Sequence, residues 1–177
     1  GIFGDNEFAV RLPFFIAGLV TLWFGFKLAS LLFDRTTAFI SCLLLASLPI
    51  FFSTGFFATT DSLQITFWMA SLYFLARIFL QNRQDAWLPF GLVLGLGMLS
   101  KYTLVLLLPG ILLLMLFKTS ARHWFGNPRG YIAAVCSLVI FMPVLFWNYQ
   151  TDWSSFSFQT VRRLDRDIEF STHYLLL

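Results

Sequence analysis

Charge is scarce in this chain: 12 Lys and Arg with 9 Asp and Glu make up only 12% of its 177 residues. A soluble domain carries about 25% charged residues, so too little polar surface exists here to cover a water-facing core. Cysteines number two and histidines two; a disulfide scaffold is excluded. No His, Cys, Asp or Glu cluster has ligand spacing, so neither a metal nor another cofactor is expected. Glycine follows no three-residue period, which excludes a collagen-like chain. No phosphate-binding loop and no nucleophile elbow occurs, and no internal repeat is visible. The apolar runs lack period-2 alternation, which excludes a membrane β-barrel. What remains is abundant: 58% of residues are hydrophobic, 23 are Phe, and the mean hydropathy is +0.77. Disorder goes with the soluble class. An all-α, polytopic transmembrane helical bundle is left.

The net charge of +3 would hint at nucleic acid in a soluble protein. Here the basic residues sit in short loops between apolar runs, so membrane lipids are the expected neighbours and nucleic acid is not. The chain opens at Gly1 without Met, and Leu175 to Leu177 open another apolar stretch. It therefore reads as an internal fragment, one transmembrane domain over 1–177 truncated at both ends.

About six spanning helices are expected, near Leu12–Phe33, Thr36–Phe57, Ser62–Leu80, Trp87–Ser100, Tyr102–Phe117 and Tyr131–Trp147. The stretch from Trp87 to Phe117 would be roughly 46 Å as one straight helix, too long for a hydrocarbon core of about 30 Å. As a hairpin, it puts Lys27, Arg35, Arg77, Arg83, Lys118, Arg122 and Arg129 on one side and leaves Lys101 nearly alone on the other. The positive-inside rule favours the hairpin, with the basic loops cytoplasmic. Asp61, Lys101, Asn148 to Gln159 and the N-terminal Asp5 to Arg11 then share the outer face.

On that face Lys101 is the sharpest signal. Both hairpin arms are short, which sets its ammonium slightly below the membrane surface, where it needs an anion or water. A recessed Lys suits the phosphate of a lipid carrier; the plainer alternative is a Lys that snorkels to the headgroups. Asp61 reads as an N-cap, as a carboxylate binding a sugar hydroxyl or a cation, or as both. Asn148, Gln150 and Trp153 read either as an interfacial belt or as a loop gripping sugar hydroxyls. The residues Arg162, Arg163, Asp165, Arg166, Asp167 and Glu169 alternate in sign and read as a solvated amphipathic segment. Gly91 and Gly95, four apart, let another helix approach; no strand precedes them, so they are no dinucleotide fingerprint.

Four segments taken in order carry a resemblance: Gly4 to Pro13, Ala58 to Leu63, Gly95 to Thr103, and Trp147 to Gln159. The set resembles bacterial members of the dolichyl-phosphate-mannose protein mannosyltransferase family, glycosyltransferase family 39 with the GT-C fold, related to the lipid A aminoarabinose and lipopolysaccharide galacturonosyltransferases. The resemblance implies a multi-pass enzyme of the bacterial inner membrane. It would move a sugar from a polyprenyl-phosphate carrier to a lipid, protein or glycan acceptor on the periplasmic side. It also implies an acidic pair in an earlier outer loop, so no catalytic residue is expected within this chain. Lys101 and, more weakly, Arg11 are then the expected lipid-phosphate ligands. Asp61, Tyr102, Asn148, Gln150 and Trp153 are the expected substrate contacts. A transporter or lipid flippase predicts charges near the midplane and paired halves, and neither is visible; a non-enzymatic membrane scaffold needs no polar residues gathered on one face.

Overall fold

The computed structural model describes residues 7–49, 51 and 59–154. The segment 162–169 and the motif residues at 4–6, 58 and 155–159 lie outside them. All regular structure among the described residues is helical: α1 (Glu7–Leu32), α2 (Arg35–Ser47), α3 (Thr60–Gln81), α4 (Trp87–Ser100), α5 (Leu107–Phe117) and α6 (Pro128–Gln150). Short 3-10 stretches at Gln84–Ala86, Tyr102–Leu106 and Thr119–Gly126 join them. Two compact units result, Gly1–Ile140 and Phe141–Leu177.

The helix ends follow local chemistry. α1 starts at Glu7 rather than near Leu12, with an acidic residue in its first turn where the helix dipole favours one. Asp34 caps α2, its carboxylate accepting from the Thr36 and Thr37 amides. A hydrogen bond from the Thr37 side chain above all, with these backbone bonds behind it, holds its carboxyl below the usual carboxylate range. α2 stops at Leu48, whose backbone is extended; the residue before a proline is driven out of the helical region, and Pro49 follows. The expected continuous helix to Phe57 is therefore broken here. Asn82 ends α3 in the left-handed conformation, φ 55°, a role Asn tolerates better than most residues. Pro128 opens α6 at the position where its missing N–H costs nothing.

In the first unit α1 and α3 run parallel. The hydroxyls of Thr21 and Thr66 meet at 2.8 Å, and both reach the Ala17 carbonyl, at 2.9 and 3.0 Å. α2 returns along α1, with the Cys42 thiol donating to the Leu22 carbonyl. α4 is antiparallel to α3. It is parallel to the first half of α6, whose backbone presses so closely that a Cβ on Gly91 would lie 2.4 Å from the Ala133 carbonyl oxygen. A Cβ on Gly95 would lie 3.0 Å from the Ser137 Cα. These glycines are the small-residue face that the sequence indicated. Leu and Phe side chains cover much of the outward surface, as on α2 with Phe39, Leu43 and Leu44, which suits a lipid solvent.

The expected hairpin is present. The chain leaves along α4, reverses at Lys101 and returns through Tyr102–Leu106 and α5, so that Trp124 comes back to Trp87 with ring centroids 5.6 Å apart. At the reversal a Cβ on Gly97 would fall within 3 Å of both Leu104 and Phe67; only Gly lets the three segments close.

Of the about six spans expected, helix length alone supports three to four among the described residues. Among the described residues, three helices are by themselves long and apolar enough to cross a membrane: Ala9–Leu32, Asp61–Gln81 and Pro128–Gln150. The returning arm makes a fourth only together with Thr119–Gly126, from which it is bent by 114°. α2, at 13 residues, is shorter than a span. The reason the hairpin arms escaped a count by helix length is that each carries a 3-10 extension. At rises of about 1.5 and 2.0 Å per residue, each arm reaches roughly 27 Å.

Candidate functional site

The reversal at Lys101 brings chemistry from two helices together. Lys101 caps α4 with an extended backbone, φ −160° and ψ 121°, and its N–H closes the last turn onto the Gly97 carbonyl. That backbone points the side chain across to the start of α3. There the ammonium Nζ donates to Asp61 Oδ1 at 2.5 Å. Three residues on, one turn along the same face of α3, Gln64 Nε2 donates to Thr103 Oγ1 at 2.6 Å. Two charged or polar ties thus pin the reversal to the α3 N-terminus. Tyr102 lies between them in sequence, half-buried at the start of the 3-10 turn.

Asp61 does not cap α3. Thr59 occupies the cap position, its hydroxyl 3.2 Å from that of Ser62, while the Asp61 carboxylate is turned to Lys101. Its place in the first turn still suits the positive helix end. The pair is open to solvent, Lys101 at 32% and Asp61 at 54% side-chain exposure. Inward from it, Ser62, Thr66 and Thr21 continue as a line of buried hydroxyls between α3 and α1.

Arg11 lies on α1, salt-bridged to Glu7 one turn earlier at 3.3 Å. Six residues separate it from Ala17, and five separate Asp61 from Thr66, which bonds the Ala17 carbonyl. With the helices parallel, Arg11 and Asp61 stand at nearly the same level, on the same end of the unit.

In the second unit, Asn148 is fully buried, its amide Nδ2 donating to the Val144 carbonyl at 3.0 Å while Oδ1 has no partner among the described residues. Gln150 is exposed at the last residue of α6. The chain then turns through Asp152 and Trp153, both with positive φ, and the Trp153 N–H donates to the Asn148 carbonyl at 2.8 Å. A positive φ is costly for an aromatic residue. Trp153 is about half exposed.

The opposite end of the first unit is basic and self-neutralising at one point. Arg83 clamps Asp85 through Nε and Nη2, at 2.9 and 3.0 Å, and Arg77 stands 3.5 Å away. The Arg83 hydrogen bond above all pulls the Asp85 carboxyl down to about 2. No group of three metal-ligating side chains occurs among the described residues. Sequence reasoning singled out Asp61 and Lys101, and the structure joins them. It missed Gln64 and Thr103; the one available signal was the i, i+3 placement of Gln64 after Asp61.

The family profile described as dolichyl-phosphate-mannose-protein mannosyltransferase matches residues 1–147. The chain is similar to the undecaprenyl phosphate-alpha-4-amino-4-deoxy-L-arabinose arabinosyl transferase of Yersinia enterocolitica, 31% identical over 162 residues, and to those of Yersinia pestis and Yersinia pseudotuberculosis at 30%. In each case the match covers 84% of this chain and 29% of the relative. The chain thus spans under a third of the length of these relatives. No solved structure matches it. The chain belongs to the dolichyl-phosphate-mannose-protein mannosyltransferase family.

Proposed function

We propose that this chain, as a member of that family, forms one transmembrane domain of a bacterial inner-membrane glycosyltransferase whose active side is periplasmic. The donor is a sugar on a polyprenyl phosphate, and the acceptor is lipid A, a protein or another glycan. Two lines support this reading: the relatives are named for transfer from undecaprenyl phosphate, and the Asp61–Lys101 pair sits opposite the basic end of the bundle.

The chemistry follows from the pair. An acceptor oxygen attacks the anomeric carbon in line, the new C–O bond forming as the bond to the carrier phosphate breaks. The acceptor proton passes to a carboxylate base outside this chain, in an earlier outer loop, and the bonding electrons stay on the departing lipid phosphate. That oxygen gains charge in the transition state, where a fixed cation is most effective. The Lys101 ammonium has three N–H donors; one goes to Asp61, and two remain for phosphate oxygens. Asp61 keeps Oδ2 for a sugar hydroxyl, and Arg11, level with it, is a second cation for the carrier. Tyr102, Asn148, Gln150 and Trp153 are the remaining substrate-contact candidates.

The observation that carries the reading is the Lys101 side chain, held at the hairpin turn by Asp61. In the intact protein, Lys101→Ala is expected to lower transfer from undecaprenyl-phosphate sugar by about 100-fold or more, with Lys101→Arg recovering part of it. Normal insertion with unchanged transfer in Lys101→Ala would remove the assignment.

A further inference from the structure

At the basic end of the first unit, a feature unconnected with Asp61 and Lys101 has the makings of a binding site. An apolar groove of about 430 Å³ runs between α4, α5 and the start of α6, with Leu94, Leu108, Leu112, Met115 and Ala134 in its walls. That volume lies in the range of about 300–1,000 Å³ typical of small-molecule sites. Beside it is a second, more polar recess of about 300 Å³, lined by Gln84, Asp85, Trp87, Leu88, Arg129 and Ile132. Trp87 belongs to both.

The indole of Trp87 is 5% exposed, and its Nε1 has no hydrogen-bond partner among the described residues. A buried N–H left unpaired is costly, so an orphan donor on a residue that lines both cavities points to an acceptor that binds there. Arg129, exposed on the first turn of α6, supplies a cation to the same recess. The α4 and α6 N-termini both open here, since the Trp87 ring lies against Gly130, and their dipoles favour an anion. Asp85, the one carboxylate in the recess, is neutralised by Arg83 and Arg77. Lys118 and Arg122 add positive charge at this end.

We infer that the two cavities form one site for an anionic phospholipid of the leaflet at the basic end. Its phosphodiester oxygens accept from Trp87 Nε1 and Arg129, and one acyl chain lies in the groove. Basic recesses next to apolar inter-helix grooves on the cytoplasmic side have this chemistry.

The intact protein in detergent is titrated with phosphatidylglycerol, phosphatidylcholine or inorganic phosphate, and bound lipid is counted by native mass spectrometry alongside the melting temperature. Phosphatidylglycerol is expected to bind and raise the melting temperature, with phosphatidylcholine at least fivefold weaker and inorganic phosphate without effect. Arg129→Gln, a surface change that leaves the fold intact, should weaken phosphatidylglycerol at least fivefold. Trp87→Phe keeps most of the ring and removes the orphan donor. The smaller ring leaves a cavity, so the variant should melt somewhat lower than the parent without lipid, and it should lose most of the lipid-induced rise. Equal binding of the two phospholipids, or phosphatidylglycerol binding untouched by Arg129→Gln, overturns the site. A helix of the protein itself filling the groove would show as no lipid adduct at all, and would overturn it equally.

Discussion

Lys101 and Asp61 remain 32% and 54% exposed, and ion pairs that open contribute only about 0.2–1 kcal/mol to stability. The pair is therefore too weak to be what holds α3 against α4; the apolar packing around Gly97 does that. Its significance is positional, since it holds an ammonium at the hairpin turn. Asp61→Asn is expected to lower stability by under about 1 kcal/mol while altering transfer in the intact protein. Asp61→Lys and Lys101→Asp should each abolish transfer, because each sets like charges face to face. The double swap should restore the melting temperature of the parent without restoring transfer, since the cation then stands on the wrong helix. A double swap that transfers normally would mean that the pair matters only as a pair. At this scale the sequence showed which residues carry charge at the end of the bundle opposite the basic loops. It could not show that Asp61 turns away from the cap, because capping and pairing use the same residue type at neighbouring positions. Nor could it show the contact between Gln64 and Thr103, which lie 39 residues apart.

Between helices, α4 is the element on which the rest depends. Its glycines let α6 and the returning turn close around it, and a methyl group at Gly91 would meet backbone rather than a flexible side chain. Gly91→Ala is expected to cost about 1–3 kcal/mol, read as a lower melting temperature, whereas Gly110→Ala, facing open space, should not show that packing penalty. An equal effect at both sites would mean that α4 and α6 are not in contact. The link from α3 to α4 rests on Asp85, whose carboxyl is held near 2. A carboxyl lowered on folding stabilises above its unfolded value near about 3.9 and loses that contribution as pH falls through about 2. Asp85→Asn should therefore remove nothing that titrates between pH 5 and 8, and should flatten the acid limb of stability below pH 4. Helix existence was legible from the apolar runs, and the glycine face from its spacing. Helix ends were less so. The halt at Leu48 was readable from Pro49, but the apolar run beyond it masked the signal.

For the molecule as a whole, charge placement was the informative feature. Seven basic residues fall on one side only if the chain doubles back between Trp87 and Phe117, and the Trp87–Trp124 contact shows that it does. Apolar run length does not distinguish an α-helix from an α-helix extended by 3-10 turns, so the sequence showed the two hairpin arms but not how each is built. Among the described residues, three helices reach spanning length by themselves. What the bundle accomplishes is to separate two ends, one with the Asp61–Lys101 pair and one with the basic loops, across about 27 Å of apolar helix.

That separation can be measured directly in the intact protein by replacing its native cysteines and introducing single cysteines at Thr59, Thr103, Gln84 and His123. A membrane-impermeant maleimide applied to sealed cells with a permeable outer membrane should label positions 59 and 103, and should reach 84 and 123 only after the inner membrane is opened. Labelling of 103 from the same side as 84 or 123 would contradict the hairpin, and with it the placement of Lys101 at a periplasmic site.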